Sequence, residues 1–114
     1  MPFIDTKTTK IITKEQEKEL TRAFGEAITL IRGKSEEWLM LKFTDNCRMA
    51  FRSDSETDSA ILEVKIFGKA TDGEYSALTS KLCEIMSSVL GIRKDRIYVK
   101  YEEIDVWGYN GFNF

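Results

Sequence analysis

Apolar and polar positions along the chain follow two different periods, and the succession of the two occurs twice. Pro2 to Thr8 and Ala60 to Phe67 are short extended runs in which opposite faces receive different side chains, as the two-residue period of a half-buried strand requires. After each run the spacing lengthens. Leu20, Phe24, Ala27, Ile28 and Ile31 recur at helical intervals, and Leu78, Leu82, Ile85, Met86 and Val89 repeat the spacing, which predicts one amphipathic helix per half. Thr13-x-x-Gln16 and Thr71-x-x-Glu74 precede these stripes as capping boxes: the hydroxyl takes an orphan N–H while the third residue reaches back. Gly33 and Gly91 stand where a left-handed residue ends a helix, each followed by a charged turn and an apolar strand, Leu39 to Phe43 and Ile97 to Tyr101.

Equivalent positions lie 58 residues apart without a gap, so the chain reads as one strand-helix-strand unit written twice, residues 2–43 and 60–101, within a single domain spanning 1–114. A helical crossover makes the two strands of each unit parallel. The expected fold class is α+β: a duplicated β-α-β unit forming a four-stranded mixed sheet with two helices on one face. Ile4, Thr6, Leu39, Leu41, Phe43, Leu62, Val64, Ile66, Ile97, Val99 and Tyr101 can face the helices, while Asp5, Lys7, Lys42, Glu63, Lys65 and Lys100 point the other way. That second face, half charged and half apolar, either meets water or lies against a partner subunit. Residues 44–59 form a polar connector interrupted by Met49-Ala50-Phe51, a candidate short strand. Residues 102–114 have no counterpart in the first half; they hold Trp107, Tyr109, Phe112 and Phe114, with Asn110-Gly111 as a type I′ hairpin signal. So much aromatic surface is expected to dock on a neighbouring subunit or to line a pocket.

The 114 residues carry 17 basic and 19 acidic side chains, no His and two Cys. A net charge of −2 with interspersed signs offers no field for a polyanion, and the apolar runs are too short to cross a bilayer, so neither nucleic acid nor membrane is an expected partner. The lack of His removes histidine-centred triads and most zinc hydrolase sites. Cys47 and Cys83 form no C-x-x-C, which argues against a redox dithiol or metal knuckle and suits a reducing compartment. The start of the chain has no apolar segment of a secretory signal, and a cytoplasmic location is the default expectation.

A base must then come from elsewhere. Pro2 is the one proline and follows Met1; a small second residue generally permits Met1 removal, which would leave a free secondary amine. An α-amino group titrates near ~8, and desolvation or a nearby cation would shift it toward neutrality at pH 7. Lys34 is a candidate cation, although the connection that holds it is expected at the edge of the sheet opposite Pro2 unless packing brings the two together. Taken alone, Lys34 reads equally as a solvated charge or a helix-dipole partner, and Trp38, Tyr98, Tyr109 and Phe114 read as packing.

Met1-Pro2-Phe3-Ile4, Gly33-Lys34, Met49-Ala50-Phe51, Gly68-Lys69, Asp95-Arg96-Ile97-Tyr98 and the Trp107 to Phe114 tail together resemble the macrophage migration inhibitory factor family of the tautomerase superfamily. The resemblance implies a homotrimer of β-α-β-β-α-β subunits and cofactor-independent, metal-free keto-enol tautomerisation of an α-keto acid such as phenylpyruvate. It implies Pro2 as general base, Lys34 as partner of the substrate carboxylate and depressor of the Pro2 pKa, and a backbone N–H near Phe67, or Ile66 if the alignment slips by one, as donor to a substrate oxygen. Tyr98 of the adjacent subunit, with Tyr109 and Phe114, would wall an aromatic slot. Lys100 stands where relatives often carry Asn and would add a second cation near the site; Tyr109 replaces a more usual Trp. The C-x-x-C of some animal members is replaced by Ser59-Ala60-Ile61-Leu62, so a thiol oxidoreductase activity is not expected. The family also implies an alternative, a cytokine-like interaction protein exported by a non-classical route and bound by a receptor. The repeats alone would also suffice for a non-enzymatic ferredoxin-like binding module.

Overall fold

The structure, a computed structural model, describes all 114 residues. Strand β1 (Pro2–Thr8), helix α1 (Lys14–Ala27) and strand β2 (Met40–Thr44) make the first half; β3 (Ala60–Phe67), α2 (Asp72–Leu90) and β4 (Ile97–Ile104) make the second. The four strands lie in the order β2-β1-β3-β4. Each half is a parallel pair, β1 with β2 and β3 with β4, and the halves join through antiparallel β1 and β3. This is the mixed sheet expected from two helical crossovers.

Both capping boxes form. Thr13 and Thr71 accept from the backbone N–H groups of Gln16 and Glu74, whose side chains accept in return from the cap residues' own N–H groups. The helical stripes meet the sheet in one core, where Leu20, Phe24, Ile28, Leu78, Leu82 and Met86 pack on Ile4, Leu62, Val64 and Ile66. Alternation places the faces as expected along β3, whose residues are buried at every second position. On the opposite face Lys7 Nζ lies 2.7 Å from Asp5 and 3.1 Å from Glu63, and Lys100 Nζ 3.4 Å from Glu63. These ion pairs let Asp5 be buried although it points away from the helices.

Three details differ from the pattern. Helix α1 stops at Ala27 and passes through a 3-10 turn, Ile28–Leu30. The run Ile28-Thr29-Leu30-Ile31 contains three β-branched residues, which lose rotamer freedom in a helix; the Thr29 hydroxyl donates to the Glu26 carbonyl at 2.6 Å, at the point of termination. Gly33 is therefore not the helix-ending residue that Gly91 is; Gly91 closes α2 at φ +70°, donating to Ser87 O. Met49-Ala50-Phe51 is not a strand: Phe51 and Asp54 form one isolated bridge around Arg52 and Ser53, both at positive φ. The tail forms the hairpin that Asn110-Gly111 predicts, β5 (Gly108–Tyr109) paired with β6 (Phe112–Asn113), the turn residues at φ +53° and +83°. Its Tyr109, Phe112 and Phe114 line a pocket together with Met1, Gly33 and Trp38 of the same subunit.

Candidate active site

Pro2 pairs with Ile66, so the start of the chain lies where β3 runs out into Phe67 and Gly68. A parallel crossover returns the chain to the edge from which its first strand set out, because the second strand must run in the same direction. The segment before β2 therefore arrives beside Pro2. The expectation that Lys34 belongs to the opposite edge is corrected by this geometry.

A tight turn delivers the lysine. Lys34 N–H donates to Ile31 O at 3.1 Å, with Gly33 at φ +80° in the third position, where a type II turn calls for glycine. Glu74 clamps the turn from the second half: one carboxylate oxygen accepts the Arg32 N–H at 2.7 Å while the other accepts the Thr71 N–H at 2.9 Å. These bonds hold the Glu74 carboxyl below its ordinary pKa. Lys34 Nζ donates to Phe67 O at 2.8 Å, and Phe67 N–H donates to Met1 O at 3.0 Å. The Met1 amine is lowered from 8.0 to about 6, first by burial and then by the charge and hydrogen bonding of Lys34. The crevice is thus a place where an amine is held largely unprotonated at neutral pH.

Aromatic rings wall it. Tyr109 stands edge-on to Trp38 at 5.1 Å between centroids and stacks on Phe114 at 6.4 Å, and Phe114 meets Phe67 at 6.0 Å. The hollow lined by Trp38, Tyr109 and Phe114 with Met1 and Gly33 has a volume of about 580 Å³; an adjoining hollow of about 530 Å³ reaches Pro2 and shares Met1, Trp38 and Tyr109. A slot of this size accepts a small aromatic molecule, and the Lys34 ammonium, beside the Met1 amine that lines it, suits a carboxylate.

Pro2, Lys34, Phe67, Tyr109 and Phe114 converge here. Ile66 does so only through its backbone, since its side chain is 1% exposed within the core. Tyr98 and Lys100 do not reach this crevice within the subunit. Tyr98 pairs with Ile61, five residues back along β3 from the Ile66 that faces Pro2, or roughly 16 Å at the strand rise. Lys100 is engaged by Glu63 and Glu102 on the outer sheet face. Trp38 escaped the sequence reading as a wall residue. Its position four residues after Lys34, on the same connection into β2, was the available signal; the 3-10 turn Glu36–Trp38 that swings its ring over the crevice was not visible. The Met1 carbonyl, which occupies the Phe67 N–H, was missed too.

A duplicated β-α-β chain whose N-terminus, a turn-borne lysine and an aromatic C-terminal hairpin meet at one end of a mixed sheet has the architecture of the tautomerase superfamily. The profile of the family described as macrophage migration inhibitory factor (MIF) matches residues 1–114, and the chain belongs to that family. It is 26% identical over 98 residues to the macrophage migration inhibitory factor of Xenopus laevis, covering 84% of this chain and 81% of that one. In three dimensions it superposes on Leishmania major MIF2 with a TM-score of 0.93 at 26% identity, over 100% of this chain and 97% of that one. A fused 4-OT described as a symmetric trimer shares the fold, with a TM-score of 0.84 at 17% identity over 96% and 94% of the two chains.

Proposed function

We propose that the protein is a cofactor-independent keto-enol tautomerase of phenylpyruvate-like α-keto acids, with Pro2 as general base once Met1 has been removed. The observation that carries this reading is the Lys34 ammonium set beside the chain's amine, which falls to about 6 and belongs to a residue that lines an aromatic hollow. A neutral Pro2 nitrogen would take the enol hydroxyl proton, the O–H electron pair becoming the C=O π bond while the C=C π pair takes a proton back from the Pro2 ammonium at the adjacent carbon. The reverse direction takes the carbon-bound proton and leaves charge on oxygen. Lys34 would pair with the carboxylate, and loss of Met1 would release the Phe67 N–H for the oxygen. While Met1 remains, the Pro2 nitrogen is an amide without basicity.

The site is read as completed in a homotrimer, where Tyr98 of a neighbour meets the substrate ring and Lys100 adds charge nearby. Supporting this are the 60% exposure of Tyr98, the 67% exposure of Met40 on edge strand β2, and the trimeric description of the fused 4-OT. A cytoplasmic location belongs to the same proposal.

Decay of phenylpyruvate enol absorbance, followed beside intact mass, tests it. Protein lacking Met1 should ketonise the enol well above the buffer rate and Pro2→Gly should lose most of that rate; processed protein no faster than buffer would overturn the assignment.

A further inference from the structure

Met49-Ala50-Phe51 and the Asp95-Arg96 step ahead of β4 have no part in the chemistry above, and the structure joins them. Arg96 is 5% exposed, yet the carboxylate facing it, Asp54, is 3.7 Å away. Its guanidinium is satisfied by main-chain oxygens instead: Nη1 donates to Phe51 O at 2.8 Å, Nη2 to Asp54 O at 3.0 Å and Thr57 O at 2.8 Å, and Nε to Asp58 O at 3.3 Å. Four carbonyls of one connector are thereby drawn to a single rigid plane. The turn they frame needs such support, because Arg52 and Ser53 lie at φ +56° and +62° without the freedom of glycine.

The same guanidinium lies 5.2 Å from the Phe51 ring centroid, and the Phe51 ring meets Tyr98 edge-on, 4.8 Å between centroids at 66°. Tyr98 projects from an edge strand and is largely exposed, so the ring of Phe51 is what limits its rotation. We infer that Arg96 is a positioning residue: by holding the connector it sets Phe51, and Phe51 sets the ring of Tyr98 in the orientation that meets the substrate ring at the neighbouring subunit's crevice. The inference rests on the role proposed for Tyr98 and adds the device that aims it. A lysine could not substitute, since three donors on one flexible ammonium cannot span four carbonyls as a planar fork does.

Two readouts test it. The first is a comparison of the enols of phenylpyruvate and of an aliphatic α-keto acid in Arg96→Lys, Phe51→Ala, Tyr98→Ala and the Phe51→Ala/Tyr98→Ala pair. Arg96→Lys and Phe51→Ala should each raise KM for the aromatic enol about ten-fold with kcat nearly unchanged, and leave the aliphatic enol unaffected. The double variant should be no worse than Tyr98→Ala alone, because Phe51 acts through Tyr98. Equal losses on both enols, or additive losses in the double variant, would overturn the inference. Should Tyr98→Ala alone leave KM unchanged, the role of Tyr98 falls and the inference with it; should Tyr98→Ala matter while the other two do not, the inference alone falls. The second readout needs no activity: in fluorotyrosine-labelled protein, the fluorine resonance assigned by Tyr98→Phe should shift or broaden in Arg96→Lys and in Phe51→Ala. A resonance unmoved in both would overturn the inference even if no turnover were found.

Discussion

The two halves begin alike and end differently. Both open with a strand and a capping box, but α2 runs 19 residues to a left-handed glycine whereas α1 runs 14 and then gives way to a 3-10 turn. In the second half the path from helix to strand is short and polar. In the first it becomes the turn that carries Lys34 and Trp38, and it enters an edge strand only partly buried. Each half supplies one central strand, β1 or β3, but the more regular copy has the longer helix and the less regular one carries Pro2, Lys34 and Trp38. Duplication thus leaves one copy free to depart from ideal geometry, provided the other holds it. Glu74 makes that hold explicit, being part of the α2 capping box and of the Lys34 turn at once.

The contrast can be broken at several points. Leu82 is fully buried in α2, so Leu82→Ala should cost about 3 kcal/mol in denaturant unfolding, while Leu41→Ala on half-buried β2 should cost clearly less; equal costs would erase the division between a supporting and an acting half. Lys34→Ala should lower kcat/KM for the phenylpyruvate enol about a hundred-fold, close to 2.7 kcal/mol, with little change in unfolding midpoint. The equivalent glycines sharpen the point. Gly33→Ala and Gly91→Ala each force a β-carbon into positive φ at about 1 kcal/mol, but only Gly33→Ala should also raise KM, since it moves Lys34.

The smallest effect is a pH dependence carried by the Met1 amine of the unprocessed chain. Its folded pKa of about 6 lies below the ordinary 8.0, so between these values the unfolded chain binds more protons and stability rises with pH across that window. Below about 6 the amine is charged in both states and the cost of burying it is fully felt. Lys34→Ala should move the folded value upward, yet leave it under 8.0, because burial is the larger cause; unfolding midpoints at pH 6 and 8 and an NMR titration of the amine check both statements.

The four strands, both helices, the caps and the tail hairpin could be read from the chain because each has a local cause: a period, a hydroxyl at an N-cap, an Asn-Gly pair. What could not be read was distance. Lys34 and Pro2 are far apart in sequence, and the sequence reading assigned them to opposite edges although a parallel crossover returns the chain to the edge it left. Trp38 reads as packing because a three-residue 3-10 turn has too little periodicity to reveal where its last side chain goes. Met49-Ala50-Phe51 had the composition of a strand, but the carbonyls gathered by Arg96 from 45 positions away bend it into a turn. Tyr98, which likeness to relatives assigns to a neighbour's crevice, and Lys100 both lie outside the crevice of their own subunit.

The Met1 carbonyl bonded to Phe67 N–H has a consequence for biosynthesis. An aminopeptidase works on a free, extended leader, and in the folded subunit this first residue is fastened to the last residue of β3 while its amine lies against Lys34. β1 cannot be clamped there until Ala60–Phe67 has been translated. On the proposed mechanism, trimming therefore has a window while the nascent chain is still short, and a chain folded with Met1 in place would keep its shape but lack the proposed base.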